Sequence, residues 1–187
     1  MSNTSRSRSV ALYYATHDGQ ARRIAEHIAR CLAEVGIVAP PHELAATPPS
    51  VAEMAAASVV VLVAAVRYGR HLPQAEQFLA AYRTLNAPPP LAFASVNLTA
   101  RKPGKTTATG NAYVRKLIAS HHLAPAVAVA FAGRLDYQRY GWRDRQIIRF
   151  IMLLTGGPTD PNTCIEYTSW PAVDEFAAHV AELHRRN

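Results

Sequence analysis

The sequence predicts an α/β fold of three layers, with a five-stranded parallel sheet between two layers of helices. Two observations support this prediction. Short apolar runs alternate along the chain with segments whose apolar residues recur at helical spacing, which is typical of strand–helix–strand units. The valine-rich run at 58–66 is almost continuously apolar, as a strand buried on both faces should be. Strands of this kind pair in parallel and are covered by helices on both sides.

The expected elements follow in order along the chain. The predicted strands lie at 10–15, 37–44, 58–66, 91–96 and 126–132. Pro40 and Pro41 interrupt the second of these, so we expect it at or near an edge of the sheet. The predicted helices have apolar residues at helical spacing from Ile24, Pro73, Tyr113, Trp142 and Pro171 onward. Because crossovers are right-handed, the loops at 16–21, 67–71, 97–110 and after 133 should meet along one rim.

Length and composition favour a globular protein. The chain has 187 residues, of which 49% are apolar, enough to bury a sizeable core. We expect residues 1–9 to be a disordered basic tail and residues 10–187 to form a single domain. No stretch approaches the roughly 20 apolar residues that span a bilayer, so we expect a soluble or peripheral protein. The net charge of +7 is compatible with nucleic acid, an anionic membrane surface or a polyanionic small molecule.

A long segment at 134–163 does not fit a minimal five-stranded pattern. It separates the last predicted strand from the strand-like residues 164–168, and its aromatic and aliphatic content is unlike that of a disordered loop. We therefore expect a structured insert in or after the fifth strand.

The two cysteines give no sign of a metal site. Cys31 and Cys164 are far apart, and the sequence has no CxxC motif or Cys/His cluster with zinc spacing. We interpret both as reduced, buried thiols and expect no metal.

The turn at Thr16–Gln20 has the features of a phosphate site. It lies between the first strand and the first helix, where backbone N–H groups and the positive end of the helix dipole meet. Gly19 allows a positive φ, and Thr16 offers a hydroxyl. Other phosphate motifs fail, since there is no GxGxxG. Residues 103–106 end like a Walker motif, but Thr99 stands where its first glycine should be.

Five segments carry a resemblance to a known family. They are Thr16-x-Asp-Gly-Gln, Arg67-Tyr68-Gly69, Ser95-Val96-Asn97-Leu98-x-Ala-Arg-Lys-Pro103, Arg139-Tyr140-x-Trp-x-Asp-Arg145 and Gly156-Gly157-x-Thr-Asp160. The first resembles the flavodoxin phosphate signature. Together they are similar to the bacterial FMN-type, quinone-linked protoporphyrinogen oxidases. The resemblance implies a flavodoxin-like sheet with strand order 2-1-3-4-5.

The resemblance implies that FMN binds at the rim. The implied cofactor-binding residues come from three loops: Thr16, His17, Asp18, Gly19, Gln20, Ala21, Val66, Arg67, Tyr68, Gly69, Ser95, Val96, Asn97, Leu98 and Arg101. Tyr68 is the candidate for stacking on the flavin ring. The family usually has hydroxyl residues where Ala15 and Ala21 stand here, which predicts FMN binding weaker by about tenfold to a hundredfold. The rim carries no Ser-His-Asp set or carboxylate pair, so no catalytic residue is expected and the chemistry would reside in FMN.

The implied activity is the oxidation of protoporphyrinogen IX to protoporphyrin IX in haem biosynthesis, with menaquinone or ubiquinone as acceptor. An apolar macrocycle with two propionates needs an apolar surface and cations. The candidate substrate-binding residues combine both: Arg67, Arg101, Lys102, Tyr137, Arg139, Tyr140 and Trp142.

The predicted helix at 142–154 is too short to cross a membrane but is strongly apolar. It is suited either to the lipid interface, with Arg145 and Arg149 at the headgroups, or to packing on the sheet or on a second subunit. The first alternative implies a cytoplasmic protein in peripheral contact with the inner face of the cell membrane.

Other functions stay open at this point. An NAD(P)H:quinone reductase is one alternative, although no nicotinamide site is marked. A flavodoxin-type electron-transfer module is another, but the basic rim argues against it because such shuttles are generally acidic. The charge permits a nucleic-acid partner, yet no recognised motif supports one, and we expect none.

Overall fold

The computed structural model describes residues 9–139, 141–160 and 162–187. Its main sheet contains β1 (Val10–Ala15), β2 (Pro41–Glu43), β3 (Val59–Arg67), β5 (Leu91–Val96) and β6 (Val127–Phe131), all parallel, in the order β2-β1-β3-β5-β6. A short β4 (Arg70–His71) folds back on β3 as a hairpin. The five parallel strands reproduce the predicted order 2-1-3-4-5, and β2 lies at the edge as expected. The predicted fold class is confirmed.

Six helices complete the described chain: α1 (Gln20–Glu34), α2 (Val51–Ala56), α3 (Pro73–Tyr82), α4 (Ala112–Ser120), α5 (Trp142–Thr155) and α6 (Trp170–Arg186). The sequence did not lead us to expect α2 or the β3–β4 hairpin. Ser50 and Glu53 form a capping box at the start of α2, a local signal that could have revealed it.

The sheet separates two hydrophobic cores. Side chains alternate along β3, so Val59, Val61 and Val63 join the core under α1 and α6, while Val60 and Leu62 join the core under α2, α3 and α4. All five valine and leucine side chains are fully buried. This two-sided burial explains why the run lacks polar alternation, and it leaves the loops beyond the strands to form the rim.

The insert forms a third, smaller unit beside the rim. β7 (Arg134–Asp136) pairs antiparallel with β8 (Cys164–Glu166), outside the main sheet, and α5 lies between them in sequence. Leu135, Tyr137 and Met152 form its core. The strand-like stretch at 164–168 forms a strand only at Cys164–Glu166, which is shorter than predicted. This strand pairs with β7 and belongs to the insert, whereas β6 is the last strand of the main sheet.

Burial of the cysteines was predicted incorrectly. Both are free thiols, but Cys31 is half-buried and Cys164 is exposed. Cys164 lies on the edge of the two-stranded sheet, where one face meets solvent. The predicted disordered tail falls on residues that, apart from Ser9, lie outside the described part. Among the described residues, no helix has both the length and the apolar character to cross a membrane.

Candidate functional site

The loops at the carboxyl ends of the strands enclose a cavity of about 280 Å³. Its lining comes from the first loop and α1, from the β3–β4 hairpin, from the segment after β5 and from the insert. The lining residues are Thr16, Asp18, Gln20, Ala21, Ala65, Val66, Arg67, Tyr68, Gly69, Val96, Asn97, Leu98, Thr99, Arg101, Lys102, Tyr113, Gly133, Arg134, Ile148 and Met152. The rim expected from the sequence is therefore a real concave surface.

The turn before α1 leaves the first backbone donors of the helix without a side-chain cap. Gly19 is the N-cap of α1, with φ +86°, and no side chain caps the helix. The Thr16 Oγ1 accepts the Gly19 N–H at 3.0 Å, which closes the turn. The first turn of α1 can therefore offer its backbone N–H groups to an anion at the positive end of the helix.

The side-chain amide of Gln20, a cofactor-binding candidate, is hydrogen-bonded within the protein. Its Nε2 donates to Glu166 Oε1 at 3.1 Å and to Thr168 Oγ1 at 2.9 Å, and its Oε1 accepts from Arg23 at 3.1 Å. Arg23 also pairs with Glu166 at 2.8 Å. These contacts attach the start of α1 to the end of the insert. Gln20 can therefore offer a ligand its backbone N–H rather than its amide.

A tight hairpin presents Tyr68 at the mouth of the cavity. Tyr68 and Gly69 have φ values of +49° and +77°, and they connect Arg67 to Arg70 as a two-residue turn. Two positive φ values are the requirement of a type I′ turn. A tyrosine in this region is energetically costly, and such backbone positions cluster at functional sites. Tyr68 is 53% exposed and lines the cavity.

Cations dominate the polar lining of the cavity. Arg67, Arg101, Lys102 and Arg134 are the basic residues of the lining, and Asp18 is its acidic residue. The Arg67 guanidinium stacks over the Tyr68 ring at 4.9 Å and lies 3.7 Å from the Asp18 carboxylate. Arg101 donates to the Leu98 carbonyl at 2.9 Å. This excess of positive charge suits an anionic ligand.

A buried chain of polar side chains supports the cavity from below. His71 Nε2 and Ser95 Oγ are hydrogen-bonded at 2.9 Å, and Asn97 Nδ2 donates to the same hydroxyl at 3.0 Å. Asn111 Nδ2 then donates to Asn97 Oδ1 at 3.1 Å, and Asn111 Oδ1 accepts from the first turn of α4. Burial lowers the pKa of His71 from 6.5 to about 4, so this imidazole is neutral at physiological pH.

Most of the cofactor-binding candidates meet at the cavity, while His17, Gly19 and Ser95 are not among its lining residues. His17 is exposed, Gly19 forms the turn, and Ser95 is fully buried in the polar chain. Ala15 and Ala21 are both buried, and of the two only Ala21 lines the cavity.

Of the candidate substrate-binding residues, some line the cavity and others do not. Arg67, Arg101 and Lys102 line the cavity. Tyr137 does not, because its ring is fully buried in the core of the insert and its hydroxyl donates to the Pro158 carbonyl. Trp142 is 73% exposed, outside the lining. Tyr140 and the side chain of Arg139 lie outside the described part of the chain.

Sequence reasoning missed the wall that the insert contributes. Ile148, Met152 and Arg134 line the cavity, as does Tyr113 from α4. Arg145 and Arg149, for which the lipid headgroups were one of two alternatives, donate to the Tyr137 carbonyl and to the Thr159 carbonyl, respectively. These hydrogen bonds connect α5 to the rest of the insert. The apolar spacing of α5 was visible in the sequence, but not which side of the helix faces the cavity.

Comparison with known proteins agrees with this architecture. The profile of the family described as "Flavodoxin domain" matches residues 11–162. The fold is similar to that of oxidised flavodoxin 1 from Bacillus cereus, with a TM-score of 0.55 over 93% of this chain and 97% of that one, at 12% identity. A Streptococcus pneumoniae TIGR4 flavodoxin gives a TM-score of 0.53 over 92% of this chain and 97% of its own, also at 12% identity. Fold and rim cavity together define a flavodoxin-type α/β protein.

Sequence relatives are more specific. The chain is 37% identical over 175 residues to the protoporphyrinogen IX dehydrogenase [quinone] of Escherichia coli strain K12, covering 92% of this chain and 94% of that protein. A Leishmania major protein of the same name is 38% identical over 180 residues, which are 96% of this chain and 77% of that protein. The chain belongs to the flavodoxin family, in the branch that these protoporphyrinogen IX dehydrogenases represent.

The polar chain below the cavity predicts an acid-sensitive fold. The folded state keeps His71 neutral, so its contribution to stability is complete above about pH 6.5 and is lost as the pH falls through about 4. The full displacement of this pKa corresponds to roughly 3 kcal/mol. We expect H71Q to flatten the decline in unfolding free energy between pH 6.5 and 4, measured by urea denaturation.

The matched control for this experiment is H42Q, at an exposed position of β2. It should reproduce the slope of the parent protein. An H71Q protein whose stability falls with pH as steeply as that of the parent would remove His71 as the cause.

Proposed function

We propose that this protein is a quinone-dependent protoporphyrinogen IX dehydrogenase that works with FMN bound at the rim cavity. The observation that carries the proposal is the likeness to the Escherichia coli enzyme, which extends over nearly the whole of both chains and includes the insert. A basic cavity lined partly by that insert supports the same function, because an ordinary electron shuttle needs neither.

The cavity residues fit FMN. Its phosphate would bind the turn at Thr16–Gln20, where α1 begins without a side-chain cap and Thr16 lines the cavity. The isoalloxazine would lie between Tyr68 and the segment at 96–98, both of which line the cavity. Gly69, with φ +77°, lets the hairpin backbone approach the ring edge. When bound, FMN supplies the two-electron redox chemistry.

The side of the cavity that the insert forms would face the porphyrinogen. Ile148 and Met152 of α5 offer aliphatic surface, and Arg101, Lys102 and Arg134 lie at the same cavity. We assign the two propionates to this basic group, with Arg67 and Arg139 as further candidates. We leave Tyr137 out because it is buried. The role that we propose for the protein is to position the macrocycle.

The electron acceptor that we propose is menaquinone or ubiquinone of the cell membrane, and α5 would bring the cavity to it. Trp142, Ile147, Phe150 and Leu153 of this helix are exposed, with Phe150 at 60% and Leu153 at 69%. Met152 on the opposite side is buried in the insert. An exposed apolar helix face beside a basic rim is the arrangement of interfacial helices on anionic lipid. The protein would then work at the inner face of the membrane.

The activity has a direct test. Purified protein loaded with FMN, supplied with a soluble quinone, should convert colourless protoporphyrinogen IX to fluorescent protoporphyrin faster than autoxidation does. Fluorescence of the product measures the rate, and omission of the quinone is the control. A rate that does not depend on the quinone would overturn the proposed function.

Cofactor binding is tested at Thr16. The Thr16 hydroxyl holds Gly19 and lines the cavity, so T16V removes a hydrogen bond from the turn and one from the phosphate. We expect the Kd for FMN to rise about tenfold or more, measured by quenching of FMN fluorescence on titration into the flavin-free protein. T16S keeps the hydroxyl and should bind like the parent. Equal affinity in T16V and the parent would contradict this phosphate site.

Membrane contact is tested on the exposed face of α5. The double variant F150S/L153S removes two large apolar side chains, and each is worth about 1.5–3 kcal/mol when buried in lipid. We expect its affinity for phosphatidylglycerol vesicles to fall by more than tenfold in a sedimentation assay. V38S, at a position that is 76% exposed ahead of β2, is the control and should bind like the parent. Vesicle binding that survives in the double variant would remove α5 as the contact.

A further inference from the structure

Three side chains that can bind a metal ion lie close together between α1 and α6, away from the rim cavity. His27 and Cys31 of α1 meet Asp174 of α6, and one ligand atom from each lies within 4.8 Å of the other two. His27 Nε2 is 2.5 Å from Asp174 Oδ1, and the Cys31 thiol donates to the same oxygen at 3.4 Å. At a rise of about 1.5 Å per residue, Cys31 is roughly 18 Å along the helix from Gly19.

The fold explains why the three residues meet. His27 and Cys31 are four residues apart, so they lie one above the other on the same side of α1. Ile28 and Leu32 turn into the core, as do Val173 and Phe176 of α6. Asp174 follows directly after Val173, which places its carboxylate at the line where the two helices meet. The imidazole is largely covered, because its side chain is only 19% exposed and its ring lies 4.9 Å from that of Trp170.

We propose that His27, Cys31 and Asp174 form a binding site for a divalent metal ion of the zinc type, which joins α1 to α6. Imidazole nitrogen, thiolate sulfur and carboxylate oxygen are the ligands of zinc in proteins, and three of them leave a fourth tetrahedral position for water. With zinc bond lengths of about 2.0–2.3 Å, ligand atoms stand roughly 3.3–3.8 Å apart. The Cys31–Asp174 distance already falls in that range, and the His27–Asp174 pair opens by about 1 Å.

Metal binding at this site would release one proton. Arg30 donates to His27 Nδ1 at 3.0 Å, so Nε2 carries the ring hydrogen in the metal-free state. The Cys31 thiol donates its hydrogen to Asp174 Oδ1, so sulfur also carries a proton in the metal-free state. On binding, the ring hydrogen moves to Nδ1, the exposed Arg30 leaves, and the thiol proton passes to solvent as sulfur bonds the metal. One metal ion enters and one proton is released.

A bound ion would connect two helices of the same layer. α1 carries the proposed phosphate turn at its start, and the ion would hold α1 against α6 through Asp174.

The experiment is a titration of the protein, prepared without a polyhistidine tag, with Co²⁺ and then Zn²⁺. Tetrahedral Co²⁺ with a thiolate ligand absorbs at long visible wavelengths, where oxidised flavin does not, and Zn²⁺ should bleach this absorption. At a hundredfold excess of Zn²⁺ over its Kd we expect Tm to rise by about 5–10 °C, reversibly with a chelator. The medium should gain about one proton per metal bound.

The two cysteines provide a matched pair of variants. C31S should abolish the cobalt absorption and the Tm rise, whereas C164S, which changes the exposed thiol near Arg134, should keep both. H27Q and D174N should each weaken Zn²⁺ binding at least tenfold, and circular dichroism without metal checks that every variant is folded. Unchanged titrations in folded C31S and D174N, or loss of the signal in C164S, would overturn the site. Because no porphyrinogen or quinone is used, this outcome is independent of the proposed activity.

Discussion

The site depends on a buried chain of hydrogen bonds beneath the carboxyl ends of the central strands. His71, Ser95, Asn97 and Asn111 connect the β3–β4 hairpin, the end of β5 and the start of α4, and all four are at least 94% buried. Buried polar groups are costly unless they are satisfied, so each member constrains the next. One imidazole thereby holds the hairpin that carries Tyr68 in register with the segment at 96–98. A substitution in one member of this chain is therefore expected to affect more than one wall of the cavity.

The insert adds a second constraint to the same cavity. It has its own core of Leu135, Tyr137 and Met152, and Arg145 and Arg149 donate to its backbone carbonyls. Gln20 and Arg23 then attach the start of α1 to Glu166, at the far end of the insert. The phosphate turn and the wall proposed for the porphyrinogen are therefore mechanically connected. The insert therefore adds Arg134, Ile148 and Met152 to the wall of the cavity without an additional domain.

Much of the fold could be predicted from the sequence because its signals are local. Four such signals predicted the observed elements: the apolar run of β1, the two-sided burial of β3, the prolines at the start of β2 and the helical spacing of α6. The elements that were missed are short: β4 has two residues and α2 has six. For the site, Gly19 was visible as a residue that allows a positive φ, and Tyr68 as a candidate for stacking. The positive φ of Tyr68 became visible only in the structure. The roles of Tyr137, Arg145 and Arg149 were not visible in the sequence either, because an aromatic or basic residue looks the same in sequence whether it faces a ligand or a backbone carbonyl.

The sequence by itself determined the alternation of strands and helices, the parallel sheet and the glycine turn that opens α1, since these follow from side-chain period and backbone freedom within a few residues. Only the tertiary structure decided which side chains meet across long separations. Gln20 reaches Glu166 across 146 residues, and Cys31 reaches Asp174 across 143. Such contacts arise where two helices or loops pack together, and packing is a property of whole surfaces that no short stretch of sequence contains.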